Sequence, residues 1–155
     1  MATTASLRIL KCMAMGDTTF TTDSLIVCLA STGVTFDPDT DHDYATISAN
    51  EIATGAGYTQ KTKALANVTV TENTTDDCLD ITCDDISWTA TTSGTGSIGP
   101  SPGFYVIDDT ITTAGGGATA DPVVCFGQFD SELTADAGYP FVIKNFKIKL
   151  ALTSS

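Results

Sequence analysis

Four aspartates alternate along one short stretch of the chain: Asp37, Asp39, Asp41 and Asp43. Alternating carboxylates are typical of a calcium-binding loop, which also requires a glycine at its sixth position and a glutamate at its twelfth. Counted from Asp37, those two positions hold His42 and Ser48. The ligand pattern is therefore incomplete. It favours an acidic, proline-containing loop over residues 37 to 43 and leaves calcium binding there open.

A second pattern, Gly-Thr-Gly-Ser-Ile-Gly at residues 94 to 99, has the glycine spacing of a dinucleotide-binding turn. Such a turn holds a pyrophosphate at the N-terminus of the helix that follows it. Pro100 and Pro102 stand where that helix would begin. We therefore predict a glycine-, serine- and proline-rich loop over residues 91 to 103 and no bound cofactor.

Acid–base chemistry would depend on the single histidine, His42, and on three pairs of adjacent aspartates. His42 has no nucleophile at a fixed spacing, and neighbouring residues of a strand point to opposite faces, so paired aspartates cannot act together directly. The sequence therefore predicts no catalytic residue and no enzyme. We interpret the aspartate pairs as an exposed acidic region: Asp76, Asp77, Asp84, Asp85, Asp108 and Asp109.

The five cysteines are scattered and odd in number, so they cannot all pair within one chain. Cys78 and Cys83 are five residues apart, which is not the usual spacing of two zinc ligands. We expect reduced cysteines in the core and no metal site.

Charge is distributed very unevenly. The net charge is −12, and the span from residue 64 to residue 143 contains twelve acidic and no basic residues. A surface so uniformly negative repels polyphosphate, which argues against nucleic-acid binding. The sequence also has no apolar run long enough to cross a membrane and no signal segment at its start, so we expect a protein made in the cytoplasm without a membrane partner.

Two short helical elements are predicted near the start of the chain. Residues 5 to 14 have helical apolar spacing and are followed by Gly16, so residues 1 to 16 are expected to form an arm or a short helix. A single helical turn is expected over residues 47 to 52, with Ser48 as its N-cap and Glu51 three residues later.

The rest of the chain has the patterns of short strands. Residues 24 to 30 indicate a buried strand, residues 66 to 72 a half-buried one, and residues 104 to 107 and 123 to 129 two more, with a glycine-rich connection at 114 to 118. Two further strands, residues 79 to 89 and 141 to 152, each change their apolar phase part-way. We expect a bulge or bend at Asp84-Asp85 and a bulge near Asn145.

These elements predict a mainly β protein, with all 155 residues in one antiparallel, jelly-roll-like β-sandwich domain. The last strand also carries Lys147 and Lys149 on the face opposite its apolar row. Such a basic stripe is typical of edge protection or of contact with an acidic neighbour.

The order of several segments along residues 17 to 152 resembles a family of small structural proteins of tailed bacteriophages. The segments are DSLIVCLA, YATISANEIATGAGYTQKTKAL, NVTVTE, DISWTA, GFYVIDD, DPVVCFGQFDSE and GYPFVI. The resemblance implies a capsid decoration or cement protein, made in the host cytoplasm and placed on the virion surface. It also implies that the protein assembles as a homotrimer, binds the lattice of the major capsid protein and stabilises the head.

On this hypothesis, a basic contact set faces the capsid or a neighbouring protomer: Arg8, Lys11, Lys144, Lys147 and Lys149. The alternative is a tail- or head-fibre-associated module that binds the host surface through residues 91 to 103 and 110 to 121. Copy number in the particle distinguishes the two hypotheses.

Overall fold

The structure is a computed structural model that describes residues 2–5, 7–92, 96–112 and 120–151. In these ranges it contains ten strands and two short helices, and all paired strands are antiparallel. The elements are β1 (Ala2–Ala5), α1 (Leu7–Met15), β2 (Leu25–Leu29), α2 (Tyr44–Ile47), β3 (Lys63–Ala64), β4 (Thr69–Asn73), β5 (Cys78–Thr82), β6 (Ile86–Thr89), β7 (Ile98–Asp108), β8 (Val123–Ala135), β9 (Pro140–Ile143) and β10 (Lys147–Ala151). The predicted mainly β, antiparallel fold is confirmed.

The largest sheet has five strands in the order β1-β8-β7-β2-β3. Its strand β2 is buried along its whole length, as its uninterrupted apolar sequence predicts. Leu25, Val27 and Leu29 belong to the main core on one face of the sheet. Ile26 and Cys28 belong to a second apolar cluster on the other face. Both faces of β2 are therefore covered, which explains why its apolar residues do not alternate with polar ones.

The two segments with a change of apolar phase pair with each other. β5 pairs with β10 in a three-stranded sheet that β4 completes, and β6 pairs with β9 in a separate two-stranded sheet. The pairing is interrupted at residues 83 to 85 on one segment and at 144 to 146 on the other, where Asn145 has φ +53°. The predicted breaks are thus present, but each separates two strands instead of forming a bulge within one strand. Because both segments shift together, Ile81 and Ile86 face the same core.

Residues of all three sheets meet in the main core. Phe104 of β7 lies with its ring centroid 5.7 Å from that of Phe146 and 5.7 Å from that of Phe129. Trp88 of β6 packs edge-on against Phe141 at 5.9 Å. Phe129 of β8 and Phe141 of β9, with ring centroids 6.1 Å apart, join two of the sheets, and Ile81 and Ile148 of the third sheet belong to the same apolar cluster. The jelly-roll-like sandwich stays a prediction.

The helix α1 confirms the predicted N-terminal helix, and it ends where Gly16 takes φ +76°. The expected turn at 47 to 52 is shifted, because α2 begins at Tyr44 and only a single 3-10 turn, Ser48–Asn50, follows it. Asp43, not Ser48, is the N-cap: its carboxylate accepts the backbone N–H of Thr46 at 2.9 Å. The helix therefore begins earlier than predicted, because Asp43 and not Ser48 satisfies its first free backbone N–H groups.

The predicted loop over residues 91 to 103 is wrong in its second half, because β7 already begins at Ile98. Ser101 explains why this proline-containing stretch joins the sheet: its buried hydroxyl lies 2.8 Å from the carbonyl of Ala30 and 2.7 Å from that of Gly103. A side chain at Gly103 would lie 2.2 Å from the carbonyl oxygen of Gly127, so glycine is required for this close approach. The glycine-rich connection at 114 to 118 lies outside the described residues.

Candidate interaction surface

An apolar groove of about 480 Å³ lies between α1 and the three-stranded sheet. Leu10 and Met13 of α1 form one side of it, and Leu79 and Leu150 of the sheet line it as well. Its rim is polar and includes Glu72, Asn73, Thr74, Asp77 and Cys78. We call this feature the α1 groove.

The register of the three strands explains why the groove is apolar. Val70, Ile81 and Ile148 are aligned across β4, β5 and β10, and two residues further along Leu79 lies opposite Leu150. Ile81 and Ile148 are buried in the main core, whereas Leu79 and Leu150 are only half-buried. The apolar face of this sheet therefore extends beyond the core and continues into the groove.

Large apolar side chains are exposed beside the groove. Leu10 retains 48% of its accessible surface and Val70 retains 40%. The predicted half-burial of residues 66 to 72 is therefore wrong for β4, in which four of five residues are exposed and only Asn73 is partly buried. β4 is one of the two edge strands of its sheet. Exposed apolar side chains on the helix and on the edge strand that border the groove mark a candidate interaction surface.

The rim of the α1 groove is acidic. Glu72 and Asp77 are both exposed, and no residue in the described part of the chain forms a hydrogen bond or ion pair with either carboxylate. Their charges are therefore available to a partner. A segment that fits this groove would combine an apolar side chain with a positive charge.

The comparisons with known proteins return no relative. No family model, no curated protein and no solved structure matches the chain. None of the helices in the described residues has the length and apolar character that a membrane span requires.

The two lysines of the predicted basic stripe lie on the opposite face of this sheet, as expected, and both are engaged within the chain. Lys147 Nζ lies 2.9 Å from Asp80 Oδ2, and Lys149 Nζ lies 2.6 Å from Asp76 Oδ2. Asn73 joins the two pairs by donating to both carboxylates at 3.1 Å. The lysine hydrogen bonds lower the pKa of Asp76 and of Asp80.

The structure does not bring the whole predicted contact set together. Lys147 and Lys149 are neighbours on β10, and Lys144 is exposed in the bend between β9 and β10. Arg8 and Lys11 lie on α1, but their side chains are outside the described part of the structure.

The predicted acidic region needs one correction. Asp76, Asp77, Asp84, Asp85 and Asp109 are exposed as expected, but Asp108 is 0% exposed. Asp108 is the last residue of β7 and lies opposite Leu25 in the sheet. Desolvation by burial raises the pKa of its carboxyl to about 6.

The role of Glu51 was not evident from the sequence, in which we interpreted this residue only as part of a helical turn. Its carboxylate is buried and accepts three hydrogen bonds: from the hydroxyl of Tyr44 at 2.7 Å, from the hydroxyl of Tyr58, and from the backbone N–H of Lys61 at 3.0 Å. The hydroxyl of Tyr58 in turn accepts the backbone N–H of Leu29 at 2.9 Å. We call these residues the Glu51 cluster.

Lys61 extends this cluster to two other segments. Its ammonium lies 2.8 Å from a carboxylate oxygen of Asp109, 2.8 Å from one of Asp121, and 5.0 Å from the ring centroid of Tyr44. Burial and Glu51 raise the pKa of Tyr44 and of Tyr58, so both hydroxyls stay protonated as donors. The cluster therefore fixes residues 51 to 61 against β2 and against the segments that leave β7 and enter β8.

The acidic loop uses its carboxylates for its own folding. Asp37 N–H donates to Asp41 Oδ2 at 3.1 Å, Asp39 N–H donates to Asp37 Oδ1 at 2.9 Å, and Asp43 caps α2. In the described residues, no group of three or more His, Cys, Asp or Glu side chains is placed to hold a metal. The five cysteines are free thiols, and Cys12, Cys28 and Cys125 are buried in the core as predicted. The prediction is wrong for Cys78 and Cys83, which are only partly buried. Burial raises the pKa of Cys28 and of Cys125.

Proposed function

We propose that this chain is a capsid decoration protein of a tailed bacteriophage, and that it binds the major capsid protein through the α1 groove. The ordered segments described above support the class of protein. The observation that carries the surface assignment is the apolar face of the three-stranded sheet, which continues past the core into a groove with an unpaired acidic rim. The proposal assigns the protein no catalytic step.

The occupant of the groove, in this proposal, is a segment of the major capsid protein that carries an apolar side chain next to a lysine or arginine. The apolar side chain packs against Leu79 and Leu150, while the positive charge lies near Glu72 and Asp77. The outer edge of β4 offers free backbone groups beside the groove, so an extended segment can add to the sheet there. Apolar anchoring supplies most of the affinity, and the charges supply orientation and specificity.

Each copy of the protein needs only a modest affinity for one capsid subunit. A head presents the same subunit surface many times, and an oligomeric decoration protein engages several of these surfaces at once. Linked contacts raise the overall affinity far above that of a single contact. A homotrimer on the outer surface of the virion would meet this requirement.

Of the predicted basic contact set, only Arg8, Lys11 and Lys144 remain in this proposal. Lys147 and Lys149 already pair with Asp80 and Asp76 on the opposite face of the sheet. Reversing their charge would place like charges together inside the protein, so a loss of capsid binding in such variants would not identify a contact.

Copy number in purified particles tests the proposal. We expect quantitative mass spectrometry of virions to find this protein in hundreds of copies, at a simple ratio to the major capsid protein. A handful of copies would instead support the tail- or fibre-associated module. Virions that contain none of the protein would refute both.

A further inference from the structure

A second concave site lies at the start of β7, away from the α1 groove. It is a cavity of about 360 Å³ between the turn at residues 52 to 58 and residues 91 and 96 to 99. Its volume falls in the range of about 300 to 1,000 Å³ that is typical of small-molecule sites. The start of β5 borders the α1 groove, and residue 91 follows the end of β6, so the two sites lie at opposite ends of this segment. We call the second site the β7 cavity.

The end of β2 explains why the sheet leaves room for this cavity. β2 pairs only with residues 104 to 108 of β7. The N–H of Ala30 still donates to the carbonyl of Gly103 at 2.9 Å, but the next N–H, that of Ser31, donates to the carbonyl of Asn50 at 2.7 Å. The chain therefore turns away from β7. Among the described strands, β8 alone pairs with the first residues of β7, and two of these residues line the cavity.

An added peptide strand does not suit this position. Pro100 and Pro102 directly follow the part of β7 that lines the cavity, and neither residue has a backbone N–H. A bound extended peptide depends on main-chain donors and acceptors that alternate along the edge of a sheet. This stretch of β7 offers carbonyl acceptors but lacks these donors, so the occupant has to supply donors of its own.

The lining of the cavity is uncharged, with a polar rim and an apolar floor. Thr91 and Ser97 are exposed, and no described residue forms a hydrogen bond with either hydroxyl. Tyr58 and Ile98 also line the cavity, but they are only 2% and 1% exposed. None of the described lining residues carries a charge. A charged ligand would lose hydration here without gaining a counter-charge, which favours a neutral occupant.

The aromatic part of the floor is held in place before any ligand binds. The hydroxyl of Tyr58 donates to the carboxylate of Glu51 and accepts the backbone N–H of Leu29 at 2.9 Å. Binding therefore does not have to order this ring, which lowers the entropic cost.

A neutral sugar combines the properties that the cavity requires. Its hydroxyl groups both donate and accept hydrogen bonds, and its C–H groups can pack against an aromatic ring. We propose that the β7 cavity binds a neutral sugar, whose hydroxyls donate to carbonyls at the start of β7 and form hydrogen bonds with Thr91 and Ser97. This function goes beyond capsid binding. A protein attached to the head through the α1 groove would keep the β7 cavity free for a polysaccharide.

NMR of the isolated protein tests the proposal without capsids, so its failure would leave the capsid proposal untouched. Nitrogen–proton correlation spectra are recorded during titration with glucose, galactose, mannose and N-acetylglucosamine. We expect at least one of these sugars to shift the amide signals of residues 53 to 58 and 96 to 99, with a dissociation constant on the order of 1 mM. Inorganic phosphate, as a charged probe, should leave these signals in place. No shift with any of the four sugars, or shifts with phosphate alone, would overturn the proposal.

Two variants that fill the cavity from its two sides locate the binding site. Ala53 and Ser97 are exposed residues of the lining, and Ala53→Trp and Ser97→Trp should each weaken sugar binding about tenfold or more. Ser131→Trp is the matched control, at an exposed position of β8, a strand that contributes no residue to the described lining. It should bind as the wild type does, and the remaining amide signals show whether each variant is folded. Undiminished binding by both folded filling variants would overturn the proposal.

Discussion

Leu79 lies directly opposite Leu150 across β5 and β10, and both side chains line the α1 groove. The same two strands bury Ile81 and Ile148 in the core one pair earlier along this face. One continuous row of apolar side chains thus packs in the core at one end and lines a surface groove at the other. This relationship links the stability of the fold to the surface that we propose binds the capsid.

The Glu51 cluster predicts a large stability difference between two similar substitutions. Glu51→Gln should lower the free energy of unfolding by about 1 to 3 kcal/mol. The substitution replaces one carboxylate oxygen by an amide nitrogen, which cannot accept a hydrogen bond, so a buried donor loses its partner. Glu72→Gln, at an exposed position with no partner among the described residues, should change it by less than about 0.5 kcal/mol. Urea unfolding of both variants measures the difference, and equal stabilities would show that the cluster contributes little.

Close packing between β7 and β8 makes Gly127 sensitive to a single added methyl group. A Cβ at this position would lie 2.2 Å from Cζ of Phe104, whose ring is fully buried. Gly127→Ala should therefore destabilise the protein by about 1 to 3 kcal/mol through overpacking. Ser131→Ala, at an exposed position of the same strand, is the control and should be close to neutral. Thermal unfolding checks the pair, and a neutral Gly127→Ala would contradict this packing.

The bend between β9 and β10 depends on the left-handed backbone of Asn145. Asn145→Gly should leave the stability nearly unchanged, whereas Asn145→Ala should lower the free energy of unfolding by about 1 kcal/mol relative to it. Chemical denaturation of the two variants provides the measurement. If alanine is tolerated as well as glycine, the bend does not require this conformation.

Acid should weaken the polar face of the three-stranded sheet. The hydrogen bond from Lys147 lowers the pKa of Asp80, and that from Lys149 lowers the pKa of Asp76. These contributions are present above the unfolded pKa of 3.8 and are lost as the pH falls through the lower folded values. In acid titrations followed by circular dichroism, Lys147→Met/Lys149→Met should lack this part of the loss. A double variant with the wild-type acid transition would argue against both pairs.

Much of the fold could be predicted from local patterns. The apolar run of β2 and the spacing in α1 identify both elements, because each pattern reflects burial along a single segment. The phase changes near Asp84 and Asn145 also locate real breaks in the strands. Their pairing with each other could not be predicted, because it depends on contacts between segments about sixty residues apart.

The candidate surface was harder to predict, for the same reason. The lysine stripe on β10 is visible in the sequence, but its partners Asp76 and Asp80 become neighbours only when β5 pairs with β10. Asp108 has the sequence context of an exposed aspartate pair, yet it is buried where the chain after β7 contacts the residue before β2, with the N–H of Asp109 donating to the carbonyl of Ser24 at 2.9 Å. The α1 groove requires a helix and a sheet to meet, which no local pattern specifies.

Binding of groove variants to purified heads that lack this protein tests the central claim most directly. Leu10 lines the groove and is 48% exposed, and Val70 is 40% exposed on β4, the strand whose Glu72 and Asn73 line the groove, so Leu10→Gln/Val70→Thr should fold normally. Leu133→Gln is the matched control, because Leu133 is 38% exposed on β8, a strand that contributes no residue to the lining of the groove.

In co-sedimentation at equal protein concentration, we expect the wild type and Leu133→Gln to bind the heads equally. The double variant should bind about tenfold or more weakly, since the loss of two apolar contacts is worth at least about 1.4 kcal/mol. Equal binding by all three proteins, or no binding by the wild type, would contradict the account.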